Sequence, residues 1–181
     1  MTSWLRTILV SAVSATFLAS PATGQQASPP RACTGPEHRQ FDFWVGYWDV
    51  YVTGKPEKKV ANSLIERLYD GCTIRENWRS ASSTGGSLNM YDPADKRWHQ
   101  TWHDSSNSRA EFDGGLVDGK MVLTGYWRGV LGPGDALMRI EYIPNVDGSV
   151  RQKGDQSADH GLTWKPNFDF TYRKSASQPP N

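Results

Sequence analysis

The 181-residue chain reads as an all-β domain, an antiparallel up-and-down β-barrel of about eight to ten strands with a short helix before the first. Three observations predict it. Between its two ends the chain is a series of short β-like runs, with turn signals roughly every 10 to 12 residues. Several runs alternate apolar and polar residues, and none holds a 3.6-residue apolar period for more than about two turns. Short turns in sequence order imply a meander, and closing a meander into a barrel removes its exposed edges. A two-sheet β-sandwich is the alternative.

Residues 1–24 read as a signal peptide. Arg6 supplies the positive start, and the apolar run Ile8 to Ala19 is too short to span a membrane comfortably. Ala22 and Gly24 supply the small residues of a cleavage site, which puts the protein in the periplasm or outside the cell. No membrane association is expected after cleavage. Residues 25–36, "QQASPPRACTGP", form a Pro- and Ser-rich leader expected to be disordered, as is the tail at 175–181. A single barrel domain is expected over residues 37–174. Its helix falls in "GPEHRQFDFW", and its turns at "YDG", "STGG", "DPADK", "SSNS", "VDGK", "LGPGD", "NVDGS" and "ADHG". The two Asp-Gly pairs, Asp118-Gly119 and Asp147-Gly148, are strong hairpin signals.

An even cysteine count in an exported chain favours a disulfide between Cys33 and Cys72, stapling the amino-terminal arm to the body. The formal net charge is +1, with no block of like charge. Nucleic-acid binding leaves a basic footprint, and there is none. The chain has no C-x-x-C, H-E-x-x-H, G-x-S-x-G or glycine-rich phosphate loop, so no metal or cofactor is expected from motifs.

"FDFWVGYWDV" (Phe41 to Val50) holds Gly46-Tyr47-Trp48 just after the expected helix. That arrangement resembles the G-x-W signature of lipocalin-like, or calycin, barrels. The resemblance implies that Gly46 and Trp48 close the barrel bottom, with a basic residue from a late strand packed over the Trp. The whole chain is similar to an uncharacterised family of exported bacterial proteins with calycin-like barrels. The matching segments are "FDFWVGYWDV", "GCTIRENW", "MYDPADKRWHQTWHDSS", "DGSVRQ" and "SADHGLTW". The likeness implies a barrel that encloses a small molecule and implies no activity. Calycin-like barrels of the nitrobindin type bind haem through a histidine near the carboxy-terminal strands. His160 occupies that region, in an Asp-His-Gly turn that should point its imidazole to water.

The run "RWHQTWHDSS" (Arg97 to Ser106) decides where the chemistry lies. As a strand it places Trp98, Gln100, Trp102 and Asp104 on one face, with His99, Thr101 and His103 on the other. Burying large aromatics is favourable and burying an unpaired imidazole is not, so the Trp face turns inward. Residues four apart on a strand are some 13 Å apart, too far for His99 and His103 to share a metal ion.

The same alternation sends polar groups inward on other strands: Glu76 with Ile74 and Trp78, Asn89 with Tyr91, Arg139 with Leu137 and Glu141, and Gln152. Either they form a structural network, such as Glu76 paired with Arg139 or Arg139 capping Trp48, or they line a wet cavity. In the second case Trp78, Asn89, Tyr91, Trp98, Gln100, Trp102, Arg139 and Tyr172 form a ligand-binding set. The leading expectation is a barrel that binds a small, partly apolar molecule in its interior. The alternatives are an isomerase, cyclase or lyase using Glu76, Arg139 and Tyr172 in that cavity, a haem protein, or an envelope protein with no ligand.

Overall fold

Ten antiparallel strands follow one another around a closed barrel in the computed structural model, which describes residues 33–130 and 134–177. They are β1 (Gly46–Val52), β2 (Lys59–Leu68), β3 (Thr73–Ser80), β4 (Thr84–Asp92), β5 (Arg97–Asp104), β6 (Arg109–Val117), β7 (Lys120–Arg128), β8 (Asp135–Pro144), β9 (Val150–Ser157) and β10 (Lys165–Lys174). Each strand pairs with its sequence neighbours, and β1 pairs with β10, Trp48 opposite Lys174, to close the ring. The topology is the up-and-down meander and not the sandwich, and it is consistent with a calycin-like fold. The expected signal peptide, leader residues 25–32, tail residues 178–181 and part of the "LGPGD" turn lie outside the described residues.

The expected helix is a pair of 3-10 turns, Pro36–Arg39 and Asp42–Trp44. The "STGG" run is not a turn: Gly85 and Gly86 belong to β4, and the turn lies at Ser80–Ser83, where the Ser80 amide bonds the Ser83 carbonyl. Asp118-Gly119 is the tight hairpin its sequence implies, with φ of 49° and 78°, both in the left-handed region.

Strand alternation gives the barrel its two faces. Inward sets such as Ala61, Ser63 and Ile65 on β2, or Met138, Ile140 and Tyr142 on β8, are buried. The outer face carries ion pairs, among them Lys59–Asp49 at 2.8 Å, Arg75–Glu66 at 2.6 Å and Arg151–Asp169. A charged outer wall is the reverse of the apolar, lipid-facing band of barrels that span a membrane. Among the described residues no helix is long and apolar enough to cross one.

The 3-10 turns plug one end of the barrel. Phe41, Trp44 and Trp48 are fully buried, with Phe41 stacked on Trp44 at 4.9 Å and Trp44 against Tyr142 at 4.8 Å. Trp48 donates its indole N–H to the Trp44 carbonyl at 2.8 Å, fixing the plug to β1. The basic residue over Trp48 is Lys174, the last residue of β10, whose Nζ sits 3.8 Å from the ring centroid and donates to the Val45 carbonyl at 2.9 Å. Burial holds the Lys174 ammonium below its ordinary pKa. Gly46 has φ of 146°, and a side chain there would collide with Lys174 Nζ, so glycine meets both demands of this corner.

Cys33 and Cys72, 39 positions apart in the sequence, form the expected disulfide. The bond ties the chain ahead of the plug to the start of β3, and Arg39 reinforces it by donating to the carbonyls of Cys33 (2.9 Å) and Gly71 (2.8 Å). A disulfide fits an oxidising compartment outside the cytoplasm. Reduction, or paired Cys33→Ser and Cys72→Ser replacement, should cost about 3 to 4 kcal/mol for a loop of this length, measured as a lower urea midpoint with a slope no smaller than the wild type's, since the freed unfolded chain expands.

Candidate ligand cavity

Above the plug the interior is not filled. A cavity of about 180 Å³ opens at the end of the barrel opposite Trp48. Its walls are aromatic: Trp78 from β3, Trp102 from β5, Phe112 from β6, Trp127 from β7, and Phe168 and Phe170 from β10. Its floor is polar, formed by Glu76, Gln100, Tyr142, Gln152 and Tyr172 beside the apolar Ile140. Ser83 and Asp104 stand at the rim. Two glycines make room for these rings. A side chain at Gly85 would come within 3.0 Å of the Trp102 ring, and one at Gly154 would collide with the ring of Phe168.

The floor is a continuous hydrogen-bond network. Ser63 Oγ donates to Glu76 Oε1 at 2.9 Å, Ser87 Oγ to Glu76 Oε2 at 3.2 Å, and Tyr172 Oη reaches Oε1 at 3.5 Å. Tyr172 Oη also donates to Gln152 Oε1 at 2.7 Å. Gln100 Nε2 donates to Asn89 Oδ1 (2.6 Å) and Tyr142 Oη (3.1 Å), and Asn89 Nδ2 donates to Ser87 Oγ (2.9 Å) and to the Ile74 carbonyl (3.0 Å). Every partner of the buried Glu76 carboxyl is a neutral hydroxyl. Burial therefore dominates, and its pKa is pushed up to about 7 although the three hydroxyls pull the other way. Burial and the nearby Glu76 charge raise Tyr142 and Tyr172 above the ordinary phenol range.

The rim differs. Burial disfavours the Asp104 anion, but hydrogen bonds from the Ser106 hydroxyl, Trp102 Nε1 (3.0 Å) and the backbone of Ser106 and Ser108 outweigh it and hold the pKa below the usual carboxylate value. Trp127 Nε1 donates to Ser108 Oγ at 2.6 Å, so both rim indoles have their N–H groups engaged.

Of the residues picked out in the sequence, Trp78, Gln100, Trp102 and Tyr172 line the cavity, as do Glu76, Asp104 and Gln152. Asn89 lies one layer below, inside the floor network. Trp98 and Tyr91 point inward but sit at plug level: Trp98 packs edge-on against Phe41 and donates to Gln40 Oε1 at 3.0 Å, and Tyr91 lies against His38 and Trp98.

Arg139 is a correction. It faces outward, 3.4 Å from Asp155 and 4.6 Å over the ring of Trp164, and contacts neither Glu76 nor Trp48. Its strand turns Ala136, Met138, Ile140 and Tyr142 inward instead. Burying that apolar set while leaving the guanidinium half in water costs far less than the opposite frame. His99 and His103 lie on the outer wall, where His99 Nδ1 meets Asp113 at 2.6 Å and Nε2 meets Asp95 at 3.0 Å. The residues present do not fit a haem: among the described residues no histidine lines the cavity, and His160 is exposed at the tip of the β9–β10 turn, 3.4 Å from Tyr126 Oη.

Phe168, Phe170, Phe112, Trp127 and Tyr142 were not singled out from the sequence. "NFDFTYR" carried the signal, since Phe168, Phe170 and Tyr172 share one strand face. No known family model matches this chain, and comparison with curated proteins gives no significant match.

The elevated Glu76 pKa has a consequence for stability. An acid whose folded pKa lies above its unfolded value stabilises the fold below the unfolded pKa, and that contribution is lost as pH rises through the folded pKa. For a rise from 4.5 to about 7 the loss is on the order of 3 kcal/mol. Urea unfolding at pH 5 and pH 8 should show the wild type losing more stability than Glu76→Gln by about that amount.

Proposed function

We propose that the protein is an exported barrel, periplasmic or secreted, that binds a small and partly apolar molecule in its interior. The observation that carries this reading is an open cavity with six aromatic walls above a floor of oriented polar groups. Such a mixture suits recognition of an apolar body with one polar end. The size supports a ligand built on a single ring: a dry protein cavity of about 150 Å³ takes benzene, and this one is about 180 Å³ and open at one side. The Cys33–Cys72 bond and the signal-peptide reading support export, and the similarity to exported calycin-like barrels of bacteria points the same way.

Titration with the neutral probe 2-phenylethanol should change the tryptophan fluorescence saturably, because three of the walls are indoles. Trp102→Ala should weaken the interaction by about 3- to 10-fold through loss of one aromatic contact. An emission spectrum indifferent to 2-phenylethanol and to a wider set of single-ring compounds would count against the reading.

The Glu76 carboxyl favours a second reading, proton transfer with a bound ligand. A carboxyl with a pKa near 7 is matched to general base work at neutral pH, and Tyr172 stands 3.5 Å away to share developing charge. In this reading Arg139 has no part. The test is deuterium exchange at the benzylic position of 1-phenylpropan-2-one, followed by NMR in D₂O. Wild-type protein should accelerate exchange over buffer, and Glu76→Gln should not.

A further inference from the structure

The charges around the cavity are one-sided. Two carboxyl groups face it, Glu76 at the floor and Asp104 at the rim, and no Lys, Arg or His is among its described lining residues. Three of the groups able to donate to an anion are already engaged: Trp102 Nε1 serves Asp104, Trp127 Nε1 serves Ser108, and Gln100 Nε2 serves Asn89 and Tyr142, while the other lining donors, such as Trp78 Nε1 and Gln152 Nε2, are neutral. A bound carboxylate or phosphate would meet like charge and aromatic faces and find no free cation.

A cation meets the opposite situation. Indole faces attract ammonium groups within about 6 Å of the ring centroid, most strongly where water is excluded. The Glu76 carboxyl, deep in the barrel and bonded only to neutral hydroxyls, lacks the counter-ion that a buried carboxylate calls for. An anionic rim of the same sign draws cations toward the mouth.

We propose that the ligand is an organic cation, an arylalkyl amine whose ring lies among Trp78, Trp102 and Trp127 and whose ammonium group pairs with Glu76. This inference rests on the cavity-binding reading and adds the sign of the ligand's charge. The titratable groups facing Glu76 are Tyr172 from β10 and Tyr142 from β8, while β2, β4, β5 and β9 present only Ser63, Ser87, Asn89, Gln100 and Gln152. Both tyrosines are pushed upward and stay neutral across the working range, and Asp104 stays ionised. Between pH 6 and pH 8 the group that changes charge in the cavity is therefore Glu76.

The test is calorimetric titration of the full disulfide-bonded protein with three probes of similar shape: 2-phenylethylamine, 2-phenylethanol and 3-phenylpropanoate. At pH 8 the amine should bind at least about tenfold more tightly than the alcohol, as a desolvated charge-assisted contact implies, and the carboxylate should bind weakest. Amine affinity should rise about tenfold from pH 6 to pH 8 as Glu76 ionises, while an alkylammonium stays charged to about pH 10. In Glu76→Gln the advantage of amine over alcohol should shrink to within about threefold, with a cooperative melt confirming the fold. Alcohol or carboxylate binding as tight as the amine overturns the charge assignment and leaves the cavity reading standing. If none of the three binds, both fall.

Discussion

The insertion of Phe41 and Trp44 into one end of the barrel is the contact on which the rest of the interior depends. Those two rings fill the space between Trp98, Tyr142 and Tyr172, and the Trp48 indole fastens them to β1. Ten strands enclose more volume than inward side chains alone would fill. The plug takes the lower part of that volume and so fixes where the cavity begins. Tyr142 and Tyr172 belong to both regions, since their rings pack on the plug while their hydroxyls join the polar floor. Any loosening of the plug would therefore disturb the floor directly.

The floor is an arrangement held at some energetic disadvantage. A barrel built for stability alone would put an apolar side chain where Glu76 stands, because a carboxyl buried among hydroxyls is a weak contributor to folding. Ser63, Ser87, Asn89, Gln100 and Gln152 extend that polarity across four further strands, β2, β4, β5 and β9. Each of them is hydrogen-bonded to another member, so the network is rigid and its acceptors are oriented before anything enters. Polar groups kept at the base of an aromatic cup are arranged for recognition rather than for packing.

Much of this was legible in the sequence, and the parts that were not have a common cause. Alternation tells which face of the sheet a side chain occupies, and it placed Trp98, Gln100 and Trp102 inward and both histidines outward. It says nothing about height along the barrel axis. Trp98 and Trp102 share a face, yet one belongs to the plug and the other to the cavity wall, because height follows from pairings such as Trp98 with Gly114 and Trp102 with Ala110. Arg139 is illegible for a different reason. In "ALMRIEY" the adjacent Leu137 and Met138 make both frames apolar at the start, and a salt link to Glu76 rewards the wrong one. What decides the frame is Tyr142, which packs against Phe41 and Trp44, residues about a hundred positions earlier in the chain. The Cys33–Cys72 pairing needed only a count and a compartment, and Gly46-Tyr47-Trp48 needed only a resemblance.

The even number of strands has a geometric consequence. With ten strands and an amino-terminal plug, the described chain both starts and finishes at the closed base: Cys33 is bonded beside the start of β3, and the Ser175 amide donates to the Tyr47 carbonyl at 3.0 Å. The mouth is bordered instead by the hairpins that join β3 to β4 and β5 to β6, with the β9–β10 connection at the same end. Both ends of the described chain therefore leave the barrel at its foot, on the side away from the opening.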